Sequence, residues 1–262
     1  MFKKLDNIIE PSSDTSIWRY MTFSKFISML ANGALFFSEM DKSYDQFEGA
    51  IPFEQAMMLR AYKSIEIKSK LEKSNFLDAK ADEHIRDHFV KLEEEVKKYR
   101  FLIMTNCWHM NSVESYAMWK LYVDNEGVAV QTTYERYKNS LEDYGQDIYM
   151  GKVIYYEDKI NDKDMLTRAF HKRAIFEHER EFRAISFGNL PKTKDEITDE
   201  HTKRYIYHGE YIPVKLDVLI DKILLSPAAP LWYKDIIENT LMKYGLKKDV
   251  SCSKLDDKPV FG

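Results

Sequence analysis

The chain has 262 residues, of which 44% are apolar and 14% aromatic, so it can bury a substantial hydrophobic core. Its net charge of −4 argues against a general polyanion-binding surface, although it does not exclude local basic patches. Two cysteines, Cys107 and Cys252, suit a reducing compartment rather than a disulfide framework. Because the sequence shows no signal-peptide core and no apolar run of about 18 residues, we predict a soluble, cytoplasmic protein with no membrane partner.

The start of the chain predicts a compact unit of a strand, a helix and a second strand. Ile17 to Met21 reads as the first strand, and Thr22 stands where it can cap a helix. Gly33 follows the helical apolar spacing and predicts its end. Ala34 to Ser38 then reads as the second strand, and an acidic, turn-rich loop follows it.

The segment from about 53 to 100 is rich in Lys, Glu, Asp and Ala, and predicts two or more amphipathic helices. We interpret it as a helical insertion in a single domain that spans residues 1–262. His84 and His88 share a helical face within it, but the sequence offers no third ligand nearby, so we predict surface histidines.

The rest of the chain alternates short strands and helices. Phe101 to Cys107 predicts a buried strand that gives way to a helix at Trp108. The other predicted elements are strands at 127–133, 147–157, 222–226 and 250–255, helices at 134–141, 162–179 and 231–244, a surface loop at 189–204 and a hairpin at 205–215. We therefore predict an α+β fold with a central split or mostly antiparallel sheet flanked by helices.

The most informative polar pattern is Glu179-x-Glu181-x-Arg183, at the start of an apolar strand. If the strand begins by Glu179, these three side chains project from one face. Burying such a row without partners is costly, so the pattern indicates either an ion-pair network or a chemical site.

Other polar residues stand where elements begin or end, which is where sites usually occur. For each of them an ion pair, a cap or a core position explains the residue at least as well as a site does, and for Asp45 and Glu48 a turn or helix cap is the preferred explanation. Lys172 and Arg173 could bind phosphates or neutralise nearby carboxylates. The remaining candidates are Arg19, Asp45, Glu48, Trp108 and His109.

Common nucleotide-binding and hydrolase signatures are missing: the chain has no G-x-x-x-x-G-K-[ST], G-x-G-x-x-G, G-x-S-x-G or H-E-x-x-H. Cys107 and His109 share a strand face, as a nucleophile and its base would. The surrounding apolar run instead predicts a buried, inert Cys107.

The order of short motifs along the chain resembles one family. The motifs are W-R-Y, G-A-L-F-F-S, F-E-G, C-W-H-M-N-S-V-E-S-Y-A-M-W-K-L-Y, G-V-A-V, V-I-Y-Y, F-H-K-R-x-x-F-x-x-E-x-E-F-R and L-S-P-x-A-P-x-W. Together they are similar to the bacterial domain of unknown function "twenty-nine seventy-one", over nearly the whole chain outside 53–100. This resemblance implies a setting in anti-phage defence or a toxin-like role, with a defence-system partner protein.

A second resemblance concerns chemistry. The stretch Y-M-T-F-S-K-F-I-S-M-L-A-N-G-A-L-F-F-S is similar to the start of DNA-modifying, DarT-like ADP-ribosyltransferases, although the chain lacks their histidine after the first strand's tyrosine and their Ser-Thr-Ser step. The resemblance implies NAD as co-substrate and a nucleic-acid or protein acceptor. Arg19 would contact the phosphates or ribose, Ser38 would lie near the nicotinamide ribose, and Glu181 or Glu179 would be the catalytic glutamate. Tyr20 or Trp108 would stack on nicotinamide.

Three hypotheses therefore stay open. The first is an NAD-dependent ADP-ribosyltransferase or NAD glycohydrolase. Its predicted catalytic residues are Glu181, Glu179 and Arg183, its predicted NAD-binding residues are Arg19, Tyr20, Ser38, Trp108, His109, Lys172 and Arg173, and it has no metal ligand. The second is a nuclease-like hydrolase whose carboxylates, Asp45, Glu48, Glu179 and Glu181, surround a divalent metal, with Lys172 on the leaving group. The third is a sensor or binding module without turnover.

Overall fold

The computed structural model describes residues 2–72, 78–123, 126–158, 160, 164–187, 207–227, 229–257 and 259. The fold is α+β, with a mixed and mostly antiparallel sheet, as predicted. The described strands are β1 Phe2–Lys3, β2 Ser16–Thr22, β3 Ala34–Glu39, β4 Ile103–Met110, β5 Gly127–Thr133, β6 Ile148–Lys152, β7 Ile154–Tyr156, β8 His171–Arg173, β9 Glu181–Phe187, β10 Gly209–Pro213, β11 Lys222–Leu225 and β12 Asp249–Cys252. The described α-helices are α1 Phe23–Asn32, α2 Phe53–Glu72, α3 Asp78–Leu102, α4 Tyr116–Tyr122, α5 Tyr134–Ser140, α6 Met165–Arg168, α7 Leu216–Leu219 and α8 Leu231–Lys243.

Ten of the described strands form one sheet, in the order β1-β6-β9-β4-β2-β5-β11-β12, with β3 and β10 attached beside β4. The pairs β1–β6 and β11–β12 are parallel, and the other pairs in this sheet are antiparallel. Strands β7 and β8 form a separate parallel pair. The predicted edge strand near residue 250 is confirmed as β12.

The sheet forks at β4. One side of β4 pairs with β9 from Ile103 to His109. The other side is shared, because β3 pairs with it at Met104 and Thr105 and β2 pairs with it at His109 and Met110. Residues 106–108 lie between these two pairing segments. The fork therefore opens a gap in the middle of the sheet, between β2 and β3.

The two faces of the sheet bury different sets of side chains. On one face, α1, α5 and α8 pack aromatic and aliphatic side chains against the strands. On the other face, Met118 and Trp119 of α4 pack against Trp18 and Tyr20 of β2. A third cluster on that second face joins Phe170 and Ile185 to the chain around α6. Both faces are covered, which suits the apolar character of β4, β5 and β9.

The predicted unit at the start of the chain is confirmed as β2, α1 and β3. Gly33 ends α1 with φ of 56°, a left-handed conformation that glycine adopts without strain. Thr22 occupies the N-cap position, but its hydroxyl bonds Ser24 rather than the helix backbone. Helices α2 and α3 occupy the segment predicted as a helical insertion.

The predicted helix at 162–179 is wrong. Among the described residues of this range, 164–179, only α6 is α-helical; β8 follows it, and a 3-10 helix covers Ala174–Glu179. The strand predicted from Glu181 is confirmed as β9, and it does not extend back to Glu179, because Arg180 turns the chain with φ of 40°. Phe170, His171 and Lys172 are all buried in succession, so the segment has no single apolar face of the helical kind.

The predicted end of the strand at Cys107 is also wrong. Strand β4 continues to Met110, since β9 and β2 pair with His109 on its two sides. The strand predicted over 147–157 is divided into β6 and β7 at Val153. The predicted loop 189–204 lies outside the described residues, as does most of the first strand of the predicted hairpin. The second strand of that hairpin is β10, which pairs with β3.

Among the described residues, no helix is long and apolar enough to cross a membrane.

Candidate functional site

A cavity of about 500 Å³ lies at the fork of the sheet. Its volume falls in the range of small-molecule sites. Seven of the ten residues predicted for the NAD site line it, and α1, α4 and β10 contribute further side chains. The seven are Arg19, Tyr20, Ser38, Trp108, His109, Glu179 and Glu181.

The fork explains how neighbouring residues reach the same cavity. Successive side chains of a strand point to opposite faces of the sheet. Arg19 and Tyr20 nevertheless both line the cavity, and so do Cys107, Trp108 and His109. The gap between β2 and β3 opens the sheet at this point, so the cavity receives side chains from both faces.

Glu181 lies at the cavity and is 3% exposed. Its Oε1 accepts a hydrogen bond of 2.6 Å from Arg183 Nε, and Lys172 Nζ lies 3.2 Å from its Oε2. Burial alone would raise the pKa of Glu181, but the charges of Arg183 and Lys172 outweigh it and lower the pKa to about 2. Glu181 is therefore a fixed anion at neutral pH.

Lys172 is the centre of the acidic cluster. Its Nζ lies 2.6 Å from Glu179 Oε2, 3.1 Å from Glu48 Oε1 and 3.2 Å from Glu181 Oε2. Burial would lower the pKa of Lys172, but the nearby carboxylates, above all Glu181, raise it above its ordinary value. The ammonium thus stays charged and holds Glu48 beside Glu179 and Glu181, which lie far from Glu48 in the sequence.

Arg183 lies behind Glu181 and is fully buried. Its Nη2 forms an ion pair of 2.8 Å with Glu48, and its Nη1 donates a hydrogen bond of 2.5 Å to the Ala169 carbonyl. Glu48, Glu179 and Glu181 carry three negative charges against the two positive charges of Lys172 and Arg183. The cluster therefore has a net charge of −1.

Arg173 and Asp45 form a neighbouring pair outside the cavity lining. Arg173 Nη2 lies 2.8 Å from Asp45 Oδ1, and the guanidinium stacks over the Phe47 ring at 4.5 Å. This pair fixes the loop that carries Glu48 to the cluster. Of the predicted site residues, Arg173, Lys172 and Arg183 thus position other groups and do not line the cavity.

Arg19 behaves differently from the basic residues of the acidic cluster. Its Nη2 donates a long hydrogen bond of 3.5 Å to the Phe36 carbonyl, and its guanidinium lies 5.9 Å from the centre of the Trp108 ring. Its Nη1 is buried and has no hydrogen-bond partner among the described residues. Burial lowers the pKa of Arg19, although an arginine remains charged in proteins. The described part of the chain places no carboxylate within ion-pair distance of this cation.

His109 presents an unused acceptor. Its Nδ1 lies 2.6 Å from the Glu179 carbonyl oxygen, which can only accept, so Nδ1 carries the proton. Burial lowers the pKa of His109 and outweighs the hydrogen bond to Glu179, which raises it. The neutral ring therefore has an unprotonated Nε2, and that atom is buried without a partner among the described residues.

Aromatic and hydroxyl side chains complete the lining. Tyr20 accepts a hydrogen bond from the Ser115 backbone N–H and packs edge-on against Trp119 at 4.9 Å. Trp108 is 2% exposed and donates its ring N–H to Asn106 at 2.7 Å. Ser38 lines the cavity at the start of the β3–β4 pairing.

Cys107 is exposed to the cavity, so the prediction that it is buried is wrong. Desolvation at the cavity nevertheless raises the pKa of the Cys107 thiol, and the Glu181 carboxylate raises it further. A thiol of raised pKa is protonated at neutral pH and is a poor nucleophile.

Sequence reasoning missed several lining residues. Tyr122 ends α4, and its pKa is raised by burial and then by Glu179. Phe36 and Tyr211 stack edge-on at 5.1 Å, and the Tyr211 hydroxyl lies 2.8 Å from the Ser28 hydroxyl. Ser28 and Lys25 of α1 also line the cavity. The sequence signal that could have identified lining residues here is the spacing of Lys25 and Ser28, which places both on one face of α1.

Within the described residues, no group of three or more His, Cys, Asp or Glu side chains is arranged to hold a metal ion.

Comparisons with protein-family models, with curated proteins and with solved structures found no significant match for this chain.

Proposed function

We propose that this protein binds NAD in the fork of its sheet and transfers or hydrolyses the ADP-ribose group. One observation carries the proposal: Glu181, a buried carboxylate that is ionised at neutral pH, and Arg19, a half-buried arginine without a carboxylate partner among the described residues, line the same cavity. A ligand that satisfies both has an anionic group for the arginine and a region of developing positive charge for the glutamate.

The state of Glu181 suits this chemistry. Breaking the bond between ribose and nicotinamide leaves the electron pair on nicotinamide and develops positive charge on the ribose. A fixed anion beside that ribose stabilises the charge without any reorganisation. Because its pKa is about 2, Glu181 is a poor proton acceptor at neutral pH. Its proposed role is therefore electrostatic, while water or an acceptor hydroxyl forms the new bond and releases its proton to solvent.

Glu181 is favoured over Glu179 as the key carboxylate. Glu181 is held by both Arg183 and Lys172, on a central strand of the sheet. Glu179 ends a 3-10 helix, and Lys172 is its one ion-pair partner among the described residues. The better-fixed carboxylate costs less reorganisation in the transition state.

The nuclease hypothesis finds less support in the same residues. Its four carboxylates are Asp45, Glu48, Glu179 and Glu181, and each lies within ion-pair distance of a lysine or arginine. Lys172 already provides a cation at the point where three of them converge. A divalent metal there would have to displace this ammonium.

The biological setting that we propose, anti-phage defence or a toxin-like effector with a nucleic-acid or protein acceptor, rests on the family resemblance alone.

The test is NAD binding and nicotinamide release by the purified chain, with DNA, RNA and total bacterial protein offered as acceptors. We expect release that falls about 10²- to 10³-fold in Glu181→Gln, the effect typical of removing one charge-stabilising group. Glu179→Gln is the matched variant and should fall less. Glu94→Gln changes an exposed residue of α3 and should leave nicotinamide release unchanged, so it controls for differences between protein preparations.

Stability measurements on each variant separate lost chemistry from lost folding. NAD binding is measured on the unaltered chain as well, so this result does not depend on the folding of any variant. If the unaltered chain neither binds NAD nor releases nicotinamide with any acceptor, the proposal is wrong. If NAD binds without release, even with acceptors, the binding-module hypothesis replaces it.

A further inference from the structure

Two buried polar atoms in the cavity lining lack partners among the described residues, and they differ in character. Arg19 Nη1 is a donor, whereas His109 Nε2 is an acceptor. A buried polar atom without a partner costs about 1–3 kcal/mol, so such atoms call for an explanation. The proposed phosphates account for the arginine. They do not account for the histidine, which needs a ligand with an N–H or O–H donor.

The tautomer of His109 is fixed by the chain itself. Nδ1–H donates a hydrogen bond of 2.6 Å to the Glu179 carbonyl, which leaves the lone pair of the neutral ring on Nε2. His109 is 6% exposed, and its ring packs edge-on against Tyr20 at 6.3 Å between centroids. Its orientation is therefore built into the protein and does not depend on the ligand.

The register of the sheet places this acceptor beside the reacting position. His109 of β4 is directly opposite Glu181 of β9 in an antiparallel pair. Opposite residues in such a pair share a face, with Cβ atoms about 5 Å apart. If Glu181 lies against the ribose carbon that loses nicotinamide, His109 lies within reach of the pyridine ring bonded to that carbon. The donor on that ring is the carboxamide N–H.

We propose that His109 is a specificity residue that accepts a hydrogen bond from the nicotinamide carboxamide, so that the site selects amide over acid pyridine dinucleotides. This inference rests on the proposed NAD site. Nicotinic acid adenine dinucleotide differs from NAD by a carboxylate in place of the carboxamide. It offers Nε2 no donor, and it brings a negative charge toward Glu181. A site that leaves a buried polar group unpaired rejects such an analogue strongly.

The test compares the dissociation constants of NAD and nicotinic acid adenine dinucleotide for the full chain by calorimetry at pH 7.5. We expect the unaltered chain to bind NAD at least about 30-fold more tightly, as a charged or unpaired contact implies. The key variant is His109→Asn, whose side-chain amide can still donate to the Glu179 carbonyl but has no atom at the Nε2 position. In this variant the preference should fall below about threefold.

His109→Gln is the matched rescue, because its amide oxygen can reach the Nε2 position and accept the same hydrogen bond. It should restore part of the preference for NAD. A merely structural role for His109 would lower the affinity for both dinucleotides and leave their ratio unchanged, which would overturn the inference. Equal binding of both dinucleotides by the unaltered chain would also overturn the inference, but it would leave the proposed NAD site intact. If neither dinucleotide binds, the proposed function fails and the inference fails with it.

Discussion

The acidic and the basic parts of the cavity are built in opposite ways. At Glu181 each charged group has an ion-pair partner, because Lys172 and Arg183 hold three carboxylates within ion-pair distance. At Arg19 a half-buried guanidinium has one long hydrogen bond and no carboxylate partner among the described residues. The first arrangement supports the fold, whereas the second leaves Arg19 Nη1 without a hydrogen-bond partner among the described residues.

This difference separates two kinds of buried charge. Removing one member of a cluster in which each charged group has a partner leaves the remaining members with an uncompensated charge in the interior. Removing an unsatisfied charge takes away a cost and leaves nothing unpaired. Substitution of Arg183, the partner of Glu181, should therefore lower stability, whereas substitution of Arg19 should leave it unchanged or raise it, and this expectation can be tested.

The largest effect is expected for Arg183→Met. The substitution leaves Glu48 and Glu181 buried with Lys172 as their shared cation, so the free energy of unfolding should fall by about 3–5 kcal/mol. Urea unfolding followed by circular dichroism measures it. Lys97→Met is the control, because Lys97 forms an ion pair of 2.7 Å with Glu93 on the exposed face of α3 and should change little. A loss below about 1 kcal/mol for Arg183→Met would contradict the buried cluster.

The next effect concerns acid. The pKa of Glu181 is about 2 in the folded protein and about 4.5 when it is unperturbed. A carboxyl group whose pKa is lowered by folding stabilises the protein above its unfolded pKa, and this stabilisation is lost as the pH falls through the folded value. Glu181 should thus contribute about 3 kcal/mol above pH 5, which disappears between about pH 4.5 and 2.

Urea unfolding at a series of pH values between 7 and 2.5 tests this expectation. Glu181→Gln should show a shallower fall in stability than the unaltered chain, whereas Glu94→Gln on the surface of α3 should fall in parallel with it. Equal slopes for all three proteins would mean that Glu181 has an ordinary pKa. The fixed-anion role would then be lost as well.

The sequence predicted many of the residues of this site but little of their arrangement in space. Alternation placed Glu181 and Arg183 on one strand face, and a glycine after an apolar repeat placed the end of α1. These features depend on neighbours in the chain. The pattern of Glu179, Glu181 and Arg183 does converge, although Glu179 arrives from a 3-10 helix and not from the strand.

The parts that sequence reasoning missed depend on distant partners. The helical spacing around Phe170 suggested one helix, but Lys172 is drawn inward by Glu48, which lies far away in the sequence. Likewise, nothing local in β4 reveals that β2 and β3 share one of its sides. The fork, and with it the access of both Arg19 and Tyr20 to one cavity, exists only in the assembled sheet.

Arg19→Met tests the other side of the comparison. Because it removes a half-buried cation that has no carboxylate partner among the described residues, the free energy of unfolding should stay the same or rise by about 1 kcal/mol. The same variant should bind NAD at least about tenfold more weakly, since a charge-assisted hydrogen bond to a phosphate is lost. If the free energy of unfolding of Arg19→Met falls as far as that of Arg183→Met, Arg19 stabilises the fold and is not reserved for binding a ligand.

The smallest effect is a difference in thiol reactivity, which reports how far the negative charge of the acidic end extends. Cys107 faces the cavity, but burial and then Glu181 raise its pKa, so little thiolate forms at pH 8. Iodoacetamide should therefore modify Cys107 at least about tenfold more slowly than the exposed Cys252, measured by mass spectrometry on Cys252→Ser and Cys107→Ser chains. Glu181→Gln should speed the reaction at Cys107 and leave Cys252 unchanged. Faster alkylation of Cys107 than of Cys252 would instead mean that the thiolate is stabilised there, and a cysteine nucleophile would return as an explanation of the site.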